Sequence, residues 1–313
     1  MKLIISKKLQ KGDTIGVVTP SEPVLDEKKE RYQKGIDVLT NKGFKIVTGM
    51  YVLSNPDNYI AASDQERAED LNKMFANLEV KAILCTTGGF NCNGMLPYLD
   101  YELIRKNPKI FVGLSDPTAL INAIHKKTGL VTFHGPSVMS DYGKGIHSYT
   151  EKYFEKATMH SDPMGRVEEF STWEVLKEGK AEGRLIGGNL SVLQLMIGTE
   201  YEPNWDDSIL FWEEIGAEPH IIEHRLRQFQ QRGILDKIKG MIVGRCVDCD
   251  MKYFKRKTTI QDVVNKVCAN YNFPIFYNVD IGHTREKMTI PLGVRGYIDT
   301  SKREFSILER AVI

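Results

Sequence analysis

The sequence predicts an α/β protein of two domains, an N-terminal parallel α/β sheet followed by a C-terminal, more β-rich α/β domain. In the first half, short apolar runs alternate with amphipathic stretches, which is typical of a parallel sheet with right-handed crossovers. Residues 161–182 are polar and less periodic, and the chain ends in a segment typical of a β-hairpin. We therefore expect one domain over residues 1–165, carrying a nucleophile, and a second over residues 180–313.

The strands of the first half are predicted from apolar runs, and its helices from a periodic apolar side with a stop signal. The run Thr14–Thr19 ends at Pro20, and the helix over Glu27–Asn41 ends before Gly43, a residue typical of helix C-termini. The other predicted elements are strands at Phe44–Thr48, Ala82–Cys85, Ile110–Val112 and Leu130–Phe133, and helices at Ala61–Ala76 and Pro117–Lys127.

The second half contains three buried strands separated by two helices before the terminal hairpin. The same reasoning predicts strands at Ile209–Trp212, Met241–Val243 and Ile275–Val279, helices at Pro219–Arg232 and Ile260–Ala269, and a hairpin of Gly296–Asp299 with Glu304–Leu308.

Composition excludes several classes of function. The 313 residues carry a net charge of +1, so the sequence lacks the excess of positive charge that is typical of proteins that bind nucleic acid or anionic membranes. No apolar run approaches the roughly 20 residues that span a bilayer, and Met1–Lys8 has too short an apolar core for a signal peptide. We expect a cytoplasmic protein with neither a membrane nor a nucleic-acid polymer as its partner.

The five cysteines are odd in number and scattered, which argues against a disulfide framework. Cys246 and Cys249 form a C-x-x-C pair. A structural zinc site would need a second pair or two histidines at matching spacing, and neither is found. Two incidental thiols at a strand end is the preferred interpretation.

Ser115 is the first candidate catalytic residue. It lies in Gly113-Leu114-Ser115-Asp116, between an apolar strand and a predicted helix. A serine in such a turn resembles the nucleophile elbow of serine hydrolases, although Pro117 replaces the second glycine. The alternative is an ordinary helix entry in which Ser115 or Asp116 caps the helix.

A base and an acid that could serve Ser115 occur in the second half. Glu213 and Glu214 follow the predicted strand Ile209–Trp212, and His283 follows the strand Ile275–Val279. Functional groups of α/β proteins lie at such strand ends. Each residue also has a structural interpretation, as a solvated strand end or as a turn histidine.

The chain resembles the LD-carboxypeptidase and microcin C immunity family of serine peptidases. The resemblance keeps the family's order and covers nearly the whole length. The segments that carry it are Gly12–Ser21, Gly88–Asn91, Phe111–Asp116, Phe133–Pro136, Gly183–Leu190, Leu210–Glu213, Gly282-His283 and Leu292-Gly293.

The resemblance implies a Ser–Glu–His triad, with Ser115 as nucleophile, Glu213 as acid and His283 as base. It selects Glu213 over its neighbour because the family acid directly follows the apolar run. It also implies a homodimer and no cofactor. The N–H of Asp116 is the natural first oxyanion donor, and the Gly88-Gly89 turn makes the N–H of Gly89 the expected second.

The substrate is expected to be a small peptide or a peptidyl-nucleotide. Thr87 precedes the glycine pair, which resembles the microcin immunity branch more than the muropeptide-recycling branch. Trp173 could stack on a nucleotide base, although a lone tryptophan is more often packed in the core. Asn91 and Asn189 are the candidate ligands of the substrate carboxylate.

Three alternatives to a serine peptidase stay open. His220-Ile221-Ile222-Glu223-His224 fits the H-x-x-E-H pattern of a zinc metallopeptidase, but a third ligand is not evident. A serine esterase and a non-catalytic peptide-binding protein are the others. The basic run Lys252–Lys257 is interpreted as a solvated face.

Overall fold

The computed structural model describes residues 2–54, 56, 58–251 and 257–313, so most of the basic run Lys252–Lys257 lies outside the described residues. No helix in these ranges has both the length and the apolar character needed to cross a bilayer. The α-helices in these ranges are α1 (Lys29–Asn41), α2 (Asp64–Ala76), α3 (Tyr101–Lys106), α4 (Thr118–Thr128), α5 (Ser148–Met159), α6 (Leu190–Met196), α7 (Pro219–Gln231) and α8 (Ile260–Val267).

The strands form two sheets. They are β1 (Thr14–Val18), β2 (Lys45–Thr48), β3 (Val80–Cys85), β4 (Ile110–Gly113), β5 (Phe133–His134), β6 (Gly165–Arg166), β7 (Glu174–Lys177), β8 (Lys180–Asn189), β9 (Ser208–Ile215), β10 (Gly240–Val247), β11 (Ile275–Val279), β12 (Ile290–Pro291), β13 (Arg295–Asp299) and β14 (Glu304–Ile307).

The first sheet has six strands in the order β12-β5-β4-β3-β1-β2. All neighbours pair in parallel except β12, which runs antiparallel to β5. The second sheet has eight strands in the order β6-β14-β13-β8-β9-β10-β11-β7, with a parallel centre from β8 to β11 and antiparallel strands on both sides. The predicted α/β class, with a more β-rich second half, is confirmed.

The chain passes between the two sheets more than once. β6 belongs to the second sheet, whereas β12, late in the sequence, returns to the first. One apolar core cluster contains side chains of both sheets, for example Ile15 and Phe305. The domain bounds 1–165 and 180–313 stay a prediction.

Several element ends differ from the sequence-based expectation for local reasons. α2 begins at Asp64 because Ser63 and Glu66 form a capping box. The expected strand Leu130–Phe133 is displaced, since Leu130 forms only an isolated bridge and β5 begins at Phe133. β9 continues to Ile215, so the two glutamates lie within a strand rather than after it.

α4 is hydrogen-bonded to the end of β8 and so joins the two sheets. The Asn189 N–H donates to Thr118 Oγ1 at 3.0 Å, and Asn122 Nδ2 donates to the Gly187 carbonyl at 3.0 Å. Gly188 has a φ of +143°, and a Cβ there would lie 2.5 Å from Thr118 Cγ2. This close approach therefore requires glycine.

A buried ion pair forms a second link between the halves of the chain. Lys287 Nζ lies 2.5 Å from Asp141 Oδ1, and both side chains are 5% exposed. Asp141 Oδ2 also accepts the Ser137 N–H at 2.8 Å, and the Lys287 N–H donates to Thr150 Oγ1 at 2.9 Å. The pair fixes the segment after His283 against the first half.

Removing Lys287 leaves the buried Asp141 carboxylate without its partner. Lys287→Met should therefore lower the free energy of unfolding by about 3–5 kcal/mol. The double variant Asp141→Leu/Lys287→Met should recover much of that loss. Urea unfolding followed by circular dichroism measures both, with the exposed Lys106→Met as control. A double variant that is destabilised as much as Lys287→Met alone, or more, would contradict this account of the pair.

Candidate active site

Ser115 occupies a strained turn between β4 and α4. Its φ is +68°, a left-handed conformation that non-glycine residues adopt rarely and at a cost. Gly88 lies against it, since a Cβ at Gly88 would be 2.6 Å from Ser115 Cβ. The side chain is half-buried and lines a cleft of about 270 Å³. The turn thus presents the hydroxyl to the cleft.

The interpretation of Ser115 or Asp116 as a helix cap is wrong. The N-cap residue of α4 is Pro117, and no side chain among the described residues caps this helix. The Asp116 carboxylate instead accepts Ser21 Oγ at 2.5 Å and the Cys92 N–H at 2.8 Å. It holds two neighbouring loops rather than the helix.

His283 and Glu213 form a buried hydrogen-bonded pair. His283 Nδ1 lies 2.6 Å from Glu213 Oε2, with the carboxylate fully buried and the imidazole side chain 16% exposed. Gly282 permits this approach, because a Cβ there would lie 2.8 Å from Glu213 Cβ. The two side chains are therefore in direct contact beside the cleft, which His283 also lines.

Burial and charge oppose each other in this pair. Burial disfavours the charged imidazole, but the charge and hydrogen bond of Glu213 outweigh it and raise the pKa of His283. Burial also disfavours the charged carboxylate, yet His283, with weaker contributions from His134 and Asn189, lowers the pKa of Glu213. The pair is arranged to stabilise an imidazolium next to a carboxylate.

Glu214 points to the other face of β9, as strand alternation requires. Its Oε2 accepts Ser191 Oγ at 2.6 Å and the Ser191 N–H at 3.0 Å, and it pairs with Arg225 Nη1 at 2.8 Å. The glutamate that contacts His283 is therefore Glu213.

Asn189 is buried and bridges the two glutamates. Its Nδ2 lies 3.2 Å from Glu213 Oε1 and from Glu214 Oε1, and its Oδ1 accepts the Val192 N–H at 3.3 Å. These contacts orient Glu213. Asn91 is exposed and donates to Tyr59 Oη at 3.0 Å. The assignment of both asparagines as substrate ligands stays a prediction.

The cleft brings Ser115 and His283 together with the glycine turn Gly88-Gly89. Within the described part of the chain, Ser115 and His283 make no hydrogen bond with each other. Such contacts often form only when substrate is bound. In the same described ranges, the N–H groups of Gly89 and Asp116 have no protein acceptor, so both are free to donate to a ligand.

Sequence reasoning missed the cations of the cleft. Lys144, Arg285 and Lys287 line it, together with His147. Arg285 follows His283 by two residues, so its proximity could have been noticed from the sequence. Lys144 carries no local signal, because only tertiary folding brings its turn to the site.

Two other candidates take no part in the cleft. Trp173 is fully buried and its Nε1 donates to Asp280 Oδ2 at 2.8 Å, so its ring is not available for stacking on a substrate. The second candidate is the H-x-x-E-H segment His220–His224, which lies in α7, and its Glu223 pairs with Lys266 Nζ at 2.7 Å. Across the described ranges no group of three or more His, Cys, Asp or Glu residues could hold a metal ion.

Two family models cover most of the chain. The LD-carboxypeptidase N-terminal domain matches residues 15–135, and the LD-carboxypeptidase C-terminal domain matches residues 182–298. The chain belongs to the LD-carboxypeptidase family. The resemblance predicted from the sequence is confirmed, and the protein is a peptidase.

Named relatives come from both branches of this family. The chain is 36% identical to a probable murein peptide carboxypeptidase of Bacillus subtilis, covering 98% of this chain and 94% of that one. It is 32% identical to the microcin C7 self-immunity protein MccF of Escherichia coli, covering 98% and 96% of the two chains.

Solved structures show the same likeness. A structure of MccF with aspartyl sulfamoyl adenosine has a TM-score of 0.90 at 31% identity, covering 99% of this chain and 100% of that one. The muramoyltetrapeptide carboxypeptidase from Oxalobacter formigenes has a TM-score of 0.82 at 28% identity, covering 95% and 99%.

His134 is a buried imidazole behind the site. It is 1% exposed, and within the described residues neither ring nitrogen has a hydrogen-bond partner. Its ring packs edge-on against Phe211 at 5.5 Å. Burial lowers the pKa of His134 to about 4, although the Glu213 charge acts in the opposite direction. The residue is therefore neutral in the folded protein near pH 7.

The Glu213 assignment predicts different outcomes for two neighbouring variants. Glu213→Gln should reduce kcat by about 10⁴-fold, since the imidazolium loses its partner. It should also lower the pKa of His283, measured by NMR titration of the imidazole. Glu214→Gln should instead lower the melting temperature, because it leaves Arg225 without its buried carboxylate. A larger catalytic loss in Glu214→Gln would reverse the assignment.

His134 predicts a pH-dependent loss of stability. The unfolded chain protonates this group near pH 6.5 and the folded one only near pH 4, so stability falls as pH falls between these values. The contribution reaches up to about 3 kcal/mol. Urea unfolding of His134→Leu should show a flatter dependence over that range than wild type or the exposed-site control His160→Gln. If the free energy of unfolding of His134→Leu depends on pH as steeply as that of wild type, the assignment of this effect to His134 is wrong.

Proposed function

We propose that the protein is a serine carboxypeptidase that removes the C-terminal residue of a murein peptide through Ser115, His283 and Glu213. The observation that supports this best is the cleft itself. Ser115 and His283 line it together, and His283 Nδ1 is held 2.6 Å from the buried Glu213 carboxylate. This is the arrangement of nucleophile, base and orienting acid that acyl transfer needs.

In the acylation step, His283 Nε2 takes the proton of Ser115 Oγ as the oxygen attacks the scissile carbonyl carbon. Glu213 keeps the proton on Nδ1, which leaves Nε2 free as the base, and then stabilises the imidazolium. The developing oxyanion accepts hydrogen bonds from the N–H groups of Asp116 and Gly89. Losing one such donor typically costs about 100- to 1000-fold in kcat.

Collapse of the tetrahedral intermediate breaks the C–N bond, and His283 passes its proton to the departing amine. A water molecule then attacks the acyl-enzyme while His283 again acts as base, and Ser115 recovers its proton. The catalytic groups in these steps are side chains and backbone N–H groups of this chain.

A murein peptide is supported as the substrate by the names of two similar proteins, a probable murein peptide carboxypeptidase and a muramoyltetrapeptide carboxypeptidase. An aminoacyl-nucleotide is the second candidate, supported by the likeness to MccF with aspartyl sulfamoyl adenosine. The burial of Trp173 favours the peptide, because that ring does not offer a stacking surface. We also propose that the enzyme is a homodimer, as the family resemblance implies, and that it is cytoplasmic, as expected from the sequence.

Turnover of two substrates tests this proposal. Wild type should release the terminal residue from a tetrapeptide ending in a D-residue faster than it cleaves an aminoacyl sulfamoyl-adenosine. Ser115→Ala should lose about 10⁴-fold or more of kcat, since the nucleophile is gone. Ser140→Ala is the matched control, a second serine of the cleft whose Oγ bonds Thr87 Oγ1 at 2.8 Å.

Serine-dependent cleavage of the nucleotide alone would move the protein to the second candidate function. Cleavage by Ser115→Ala at the wild-type rate, or an equal loss in Ser140→Ala, would show that the nucleophile is misassigned.

A further inference from the structure

The cleft carries more positive charge than its own carboxylates neutralise. Among the residues that the structure describes, two acidic side chains line it, and each already has a partner: Asp141 pairs with Lys287 at 2.5 Å, and Glu22 pairs with Lys28. Arg285 and Lys144 line the same cleft. Within the described ranges neither of these two side chains makes an ion pair, so two uncompensated cations face the cleft.

Arg285 is held by its own backbone rather than by a charge partner. Thr150 Oγ1 donates to the Arg285 carbonyl at 2.7 Å and accepts the Lys287 N–H at 2.9 Å, and Thr150 is fully buried on α5. The guanidinium Nη2 donates a hydrogen bond to the Gly145 carbonyl oxygen at 3.3 Å. Within the described part of the chain this is the one hydrogen bond of the guanidinium, so its other donors are free for a ligand.

Lys144 reaches the cleft on an anchored turn. The turn Tyr142–Lys144 is a short 3₁₀ helix whose Tyr142 ring is buried against Phe154 at 6.0 Å. Its last residue precedes Gly145, the residue that Arg285 contacts. Two loops that are distant in sequence thus meet beside His283, and each contributes one cation.

We propose that Arg285 and Lys144, rather than Asn91 and Asn189, form a carboxylate-binding subsite that receives the free C-terminal carboxylate of the substrate. This inference rests on the proposed carboxypeptidase function. A planar guanidinium matches a carboxylate with two parallel hydrogen bonds, and a flexible ammonium supplies a second charge. The subsite would confine cleavage to the last peptide bond, because the peptide backbone carries a carboxylate only at its C-terminus.

The test compares one tetrapeptide with a free terminal carboxylate and the same peptide as its terminal amide. Wild type should favour the acid over the amide in kcat/KM. Arg285→Ala should reduce this ratio by about 10- to 150-fold, the range for a hydrogen bond to a charged group. Lys144→Ala should reduce it less, and Arg285→Lys should retain part of it. The exposed Arg310→Ala, outside the cleft, should keep the wild-type ratio.

The readouts separate failure of the subsite from failure of the proposed function. If wild type cleaves the acid but Arg285→Ala leaves the acid-to-amide ratio unchanged, the subsite is refuted and the peptidase function stands. If wild type cleaves neither peptide, the affinities of Ser115→Ala for the acid and for the amide, measured by calorimetry, decide whether the subsite exists. The subsite is supported if Ser115→Ala binds the acid more tightly and Ser115→Ala/Arg285→Ala loses this preference. Equal affinities of Ser115→Ala for acid and amide overturn it.

Discussion

The hydrogen bonds between α4 and the end of β8 set the geometry of the candidate site. α4 begins just after Ser115, while β8 pairs in parallel with β9, the strand that carries Glu213. Thr118 of α4 bonds to Asn189, whose side chain in turn bonds to Glu213. A displacement of α4 relative to β8 would therefore separate the turn of the proposed nucleophile from its acid. Gly188 allows this contact, because any side chain there would collide with Thr118.

Buried charge is the second organising feature. Glu213, Glu214 and Asp141 are all buried, and each has a cationic or imidazole partner and further hydrogen bonds. Such pairs add little net stability compared with apolar packing, but an unpaired member is costly. They therefore restrict which arrangements of the loops are tolerated. In this protein the restriction acts on the segment 283–287, which carries the proposed base and two of the cleft's cations, Arg285 and Lys287.

Much of the fold and the proposed triad could be predicted from the sequence, because local patterns carry them. The apolar run before Ser115 predicts a strand and turn, and His283 follows a strand that was predicted with its observed bounds. The length of β9 could not be predicted, because its last residues are stabilised by pairing with β10, as in Cys246 opposite Glu214. Lys144 and Arg285 meet only through tertiary folding. The burial of Trp173 likewise depends on its distant partner Asp280.

The central claim is that Ser115 is a nucleophile activated by His283 and Glu213. Its most direct test is the rate and position of covalent modification by a fluorophosphonate, read by peptide mapping and mass spectrometry. The account predicts one adduct, on Ser115, formed much more slowly when Glu213 is replaced by glutamine. An adduct on Ser137 or Ser140, which line the same cleft, would contradict it. A labelling rate that does not depend on Glu213 would do the same.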